Sequence, residues 1–259
     1  MAAQASAAAP NGLNGSSSVK EYRTVVEALL KQQHVFFSPP TSPHKPLIPQ
    51  KVGAGVPTIS SLSLHPVVES LLHLLNCDLP AAHFLCRHAE VKPKFESMFV
   101  HGMLHRIEGD IDNTRAWYGD VNGSEVFQSV WKADGSGVAD DIHSENVPEI
   151  ARKGWKHYLD RIERYRDRTR KRQGTGGWEQ DQDRLNPKEV TDWQAEESLL
   201  RETSLWEIRQ LMKFCEKKFG LGVVADAKSE FMGRIESGDE EQAKMAQNMV
   251  TGGEGWRTF

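Results

Sequence analysis

The sequence predicts an all-α protein: helical hairpins stacked in an array, with additional helices C-terminal to them. Three observations carry this. Apolar residues recur at three- and four-residue steps along most of the chain, the period of one face of a helix. The stretch from Asn76-Cys77-Asp78 to Cys86 aligns with the stretch from Glu108-Gly109-Asp110 to Tyr118, an offset of 32 residues, and each has a periodic helix, a turn centred on an aspartate and a second helix. No stretch of any length alternates apolar and polar residues as a half-buried strand would.

The elements follow in order. Residues 1–60 read as a leader outside the domain. Met1–Ser18 is Ala/Ser/Asn/Gly-rich and too poor in apolar residues to fold. Ser18 and Glu21 have the spacing of a capping box, so a short helix is expected from there to about Gln33, with Tyr22, Val25, Val26, Leu29 and Leu30 on its apolar face. Six prolines between Ser38 and Pro57 then make an extended spacer. Residues 61–259 are expected to form a single helical domain. Within it, 61–130 holds two helix pairs. Asp78 and Asp110 are placed to cap the second helix of each pair, and Gly109 to take the left-handed turn that ends a helix. Residues 134–146 form a polar loop. Pro148 opens a helix reaching about Arg172, with Trp155, Tyr158, Leu159, Ile162 and Tyr165 as its apolar stripe. Residues 178–195 read as weakly structured. An amphipathic helix runs from about Ala195 to Phe219, and the tail offers short helices at 226–236 and 240–249.

Composition bounds the function. The 259 residues carry 32 Lys+Arg and 36 Asp+Glu, a net charge of −4, where nucleic-acid-binding domains are usually basic. Charge is unevenly spread: residues 151–172 are net +7, while 61–150 are net −8 and 173–210 net −5. The basic helix therefore has acidic partners nearby in the chain, and nucleic acid is not an expected partner. No apolar run is long enough to span a membrane. The N-terminus lacks the basic start and apolar stretch of a secretory signal. Three cysteines are too few for a disulfide framework, so a reducing, cytoplasmic setting is expected, with the nucleus also open.

One polar constellation stands out. His101, His105 and Glu108 stand at i, i+4 and i+7 and project within about 60° of one another on a helix. Arg106, Asp110, Asn113, Trp117 and Tyr118 crowd the same turn. In a packing reading the imidazoles lie against the second helix, hydrogen-bonded to Glu108, Asn113 or Tyr118. In a pocket reading His101 or His105 acts as acid or base, Glu108 orients or ligates, and Arg106 holds an anionic group, with Asp110, Asn113, Trp117 and Tyr118 contacting the ligand. In the third, two imidazoles and a carboxylate bind a divalent metal. Packing is favoured over the pocket and the pocket over the metal; no cofactor is called for. His73 reads as a satisfied core residue, and His83 and His88 as weaker candidates.

Gly102, Gly109, Asp110, Tyr118 and Ala82 fall near hallmark positions of the tetratricopeptide repeat, and Pro93 near its closing proline. Residues 64–130 thus resemble that repeat, although His105 replaces its usual aromatic and Thr114 its usual alanine. The resemblance implies antiparallel helix pairs that hide their apolar faces only against neighbours. The string His101-x3-His105-Arg106-x-Glu108-x-Asp110-x2-Asn113-x3-Trp117-Tyr118 also resembles a motif recurring in uncharacterised fungal and bacterial proteins. That likeness covers 98–118 and, more loosely, the Trp206–Phe219 helix, and it implies no known activity. The expected function is a protein-interaction or scaffold module that binds another protein. The alternative is a small-molecule-binding protein or enzyme using the 98–118 hairpin.

Overall fold

The computed structural model describes residues 14–31, 36–38, 58–89, 95–140, 142, 146–173, 187–227 and 230–231. The proline-rich spacer, residues 178–186 and the helix expected at 240–249 lie outside them. The described residues are all-α and contain no named strand; the polar loop holds a single antiparallel bridge, Trp131 to Val138. The helices are α1 (Asn14–Leu30), α2 (Pro66–Leu75), α3 (Leu79–Ala89), α4 (Phe95–Glu108), α5 (Ile111–Val121), α6 (Glu125–Gln128), α7 (Glu149–Arg152), α8 (Gly154–Gln173) and α9 (Pro187–Phe219), with a 3-10 turn at Ser60–Leu62.

Helix α2 packs on α3, α3 on α4 and α4 on α5, in chain order. The turns are built as the sequence dictates. Asp110 caps α5 by accepting the Asn113 amide at 3.0 Å, and Gly109 takes φ +94°. Asp78 receives the Ala81 amide at 3.4 Å, and Pro80 lies in the first turn of α3, where no N–H is needed. The long helix α9 closes the core behind the pairs, touching α2, α7 and α8. Its Leu200, Ile208, Leu211 and Cys215 are wholly buried. No disulfide joins the three buried cysteines. No described helix is long and apolar enough to cross a membrane.

Three boundaries differ from expectation, each for a physical reason. First, α1 is not outside the domain. It packs on α2, and Tyr22, Val25 and Leu29 join the common core, as do Phe36 and Phe37. Burying those side chains contributes roughly 1.5–3 kcal/mol each, enough to hold the segment down. Second, the helix expected from Pro148 to Arg172 is broken at Gly154, whose φ of +87° ends α7 and lets α8 start in a new direction against the polar loop. Third, α9 begins at Pro187, well before Ala195. Its acidic first turns are tied to α8: Arg161 is paired with Glu196, the Tyr165 hydroxyl donates to Glu197 at 2.6 Å, and Trp193 stacks on Tyr165 at 4.4 Å. The nearby opposite charge seen in the sequence is thus used within the molecule.

His73 is the satisfied core residue expected. Its Nδ1 lies 3.1 Å from Asp78 and its Nε2 3.7 Å from Glu69. Burial, the largest single influence, pushes its pKa down, but the hydrogen bonds to Asp78 and Glu69 and their charges outweigh burial and hold it at about 8. A folded pKa above the unfolded value near 6.5 stabilises below pH 6.5, and that contribution is lost as pH rises through 8. Unfolding titrations of the parent should therefore lose about 2 kcal/mol more between pH 6 and pH 9 than those of His73→Gln. Parallel pH profiles in the two proteins would show that the pair contributes nothing.

Candidate functional site

Helix α4 is buried almost all round, so each of its polar side chains must find a partner. It resolves them on two faces. On one, His101 and His105 stack with ring centroids 4.5 Å apart, as expected for residues one turn apart. Helix α3 brings His83 against them, 4.7 Å from the His101 ring and 5.7 Å from the His105 ring. One ligating atom from each of the three lies within 4.8 Å of the others. Trp117 of α5 covers the far side of His101 at 4.6 Å. His101 and His105 are buried, whereas His83 is only half-buried and forms the edge of the cluster.

The fourth member is Glu108. Its carboxylate lies 2.9 Å from His105 Nδ1. A carboxylate there receives the Nδ1 proton and leaves Nε2 as the ring's lone-pair nitrogen. The other two imidazoles are neutral at physiological pH. Burial first, and then the neighbouring His101, lower His83 to about 4; burial first, and then His105, lower His101 to about 3. Neutral imidazole is the form that ligates a metal.

Arg106, roughly a third of a turn from His105, points the other way. It is wholly buried and paired with Glu207 of α9. Its guanidinium also donates to the Tyr118 hydroxyl and to Ser204 Oγ, each at 3.0 Å. Tyr118 and the Trp131 indole both donate to Glu207 at 2.7 Å. Ser204 passes the chain on to the Phe36 carbonyl at 2.7 Å, and the Tyr158 ring lies 5.2 Å from the Arg106 guanidinium carbon. This is a sealed structural network. It ties α4, α5 and α9 together and buries Arg106 and Tyr118 completely; among the described residues Arg106 Nε has no hydrogen-bond partner but is itself buried, so neither side chain is placed to meet a substrate from solvent. Asp110 is the cap of α5, and the Asn113 amide is what that cap binds.

Of the eight residues singled out, His101, His105, Glu108 and Trp117 come together. Sequence reasoning underweighted His83, because periodicity shows that α3 has two faces without showing which one meets α4. No protein-family model, curated protein or solved structure matches the chain. The functional reading therefore stands on the geometry.

Proposed function

We propose that the protein binds a divalent transition metal through His83, His101 and His105, with Glu108 orienting His105. The observation that carries this is the convergence of three ligating ring atoms from two helices within 4.8 Å. A tetrahedral site with metal–nitrogen bonds of about 2.0–2.1 Å needs them about 3.3 Å apart. Binding would draw them together by side-chain rotation. Three imidazole nitrogens suit zinc, copper or nickel and do not suit magnesium or calcium, which take oxygen ligands. Three protein ligands and a further open position are also the pattern of metal sites that act on a bound molecule, where four ligands mark structural ones. When bound, such a metal supplies Lewis acidity to whatever occupies that position. Glu108 is the outer partner that sets the tautomer and raises the basicity of His105. Of the expected readings of the hairpin, this is the metal one, which the sequence favoured least, with His83 as a third imidazole and Glu108 moved from ligand to orienting partner.

Competition against a chromophoric chelator tests it on the full chain. One zinc ion per chain is expected. His83→Ala should weaken binding at least a hundredfold, and Glu108→Gln by about ten- to a hundredfold. Both residues are partly exposed, so both variants should fold. Equal zinc affinity in the parent and His83→Ala would remove the reading.

A protein-docking role is the second reading. It is supported by the stacked α2–α3 and α4–α5 pairs, which resemble tetratricopeptide hairpins, and by Phe84, a large apolar side chain 60% exposed on α3. In either reading three buried thiols suit a reducing, cytoplasmic setting.

A further inference from the structure

The three imidazoles join two helices that the rest of the molecule holds very differently. Helix α4 is buried almost all round and is tied from behind to α9 through Arg106 and Glu207. Helix α3 fully buries only Leu79, Ala82, Cys86 and Ala89 among its 11 residues. Three of these four are Ala or Cys. The apolar area that presses α3 onto the core is therefore small, and the attraction scales with that area. Its bulkiest apolar side chain, Phe84, points into solvent, and Leu85 is half-buried.

Polar contacts hold α3 at two points. Asp78 caps its start, and Ser97 Oγ of α4 donates to the Cys86 carbonyl at 3.1 Å. His83 stands between them, with its ring against those of His101 and His105. Its Nε2 is buried and has no hydrogen-bond partner among the described residues. A buried polar atom left without a partner works against the closed arrangement of the two helices. A metal bound by this ring and by the two of α4 works for it, because the bonds span the seam.

We propose that metal occupancy regulates α3: without metal the helix opens locally from α4, and with metal it is clamped there, which fixes the outward face carrying Phe84, Leu85 and His88. The inference rests on the metal reading above and adds something that reading does not need. Three imidazoles set between two equally rigid helices would take up a metal without changing the motion of either. Here one wall is anchored and the other is held by small side chains, so the metal acts on the loose one. A ligand that binds only the closed form suppresses opening by the factor 1 + [L]/Kd, and regions of low local stability are where such coupling appears. The Phe84 face thereby becomes a surface whose presentation depends on metal supply.

Amide hydrogen exchange of the full chain, metal-free and with free zinc buffered at about a hundred times its dissociation constant, tests it. Without metal, the amides of α3 should exchange at least about tenfold faster than those inside α4. Zinc should slow α3 by at least about tenfold. In His83→Ala the same zinc should leave α3 at its metal-free rate. Ser97→Ala keeps all three imidazoles; it should speed exchange in metal-free α3 further, and zinc should restore the protection. Equal exchange of α3 and α4 in the metal-free chain would overturn the proposal. So would zinc bound at one per chain with α3 unchanged, a result that leaves the metal reading standing and removes the clamp alone. A chain that takes up no zinc removes both.

Discussion

Replacing Glu207 with alanine is expected to cost about 3–5 kcal/mol of folding stability, the most damaging single change on the inner face of α9. The carboxylate is wholly buried and serves three donors, Arg106, Tyr118 and Trp131. Its removal leaves the Arg106 guanidinium in the core with no counter-charge, and it strands a hydroxyl and an indole N–H as well. The cost comes from that stranding more than from any large net gain of the pair itself. Arg106→Met combined with Glu207→Leu should therefore be far milder than Glu207→Ala, because charge and counter-charge leave together. Urea titrations of the three proteins decide the matter. A Glu207→Ala midpoint within about 1 kcal/mol of the parent would mean that water reaches Arg106.

Gly154→Ala is expected to cost at least about 3 kcal/mol. At φ +87° a Cβ incurs the left-handed penalty of about 1–2 kcal/mol. It would also overlap the Gly135 carbonyl and sit 2.7 Å from the Gly137 amide nitrogen, both backbone atoms that no side-chain rotation can move. Displacing them adds about 1–3 kcal/mol. The effect is local to one glycine. Gly119, inside α5 with nothing near its missing Cβ, should tolerate alanine and gain up to about 1 kcal/mol. Thermal melts that show both variants equal to the parent would contradict the packing of the polar loop on the start of α8.

The helices of the two pairs, their aspartate caps and the left-handed Gly109 were legible because they are local: each needs only residues within one or two turns. The break at Gly154 was not, because a glycine inside a periodic stretch signals a kink only once its contact with Gly135, on another loop, is known. The same distance hid Glu207. It lies about a hundred residues from Arg106, and nothing in the spacing around Arg106 says that a carboxylate waits across the core. Arg106 was accordingly read as a ligand for an outside anion when its anion is internal. The early start of α9 was concealed by acidic composition, whose repulsion is relieved by α8, a partner outside any sequence window. The histidine pair on α4 was visible from its one-turn step. Its third member required knowing which face of α3 packs on α4.

X-ray absorption at the zinc edge tests the proposed metal centre most directly, on the full chain loaded with one equivalent of zinc. The account predicts three imidazole nitrogens at about 2.0–2.1 Å and one exchangeable oxygen ligand, falling to two imidazoles in His83→Ala. A first shell of oxygen alone, or one unchanged by His83→Ala, would contradict it.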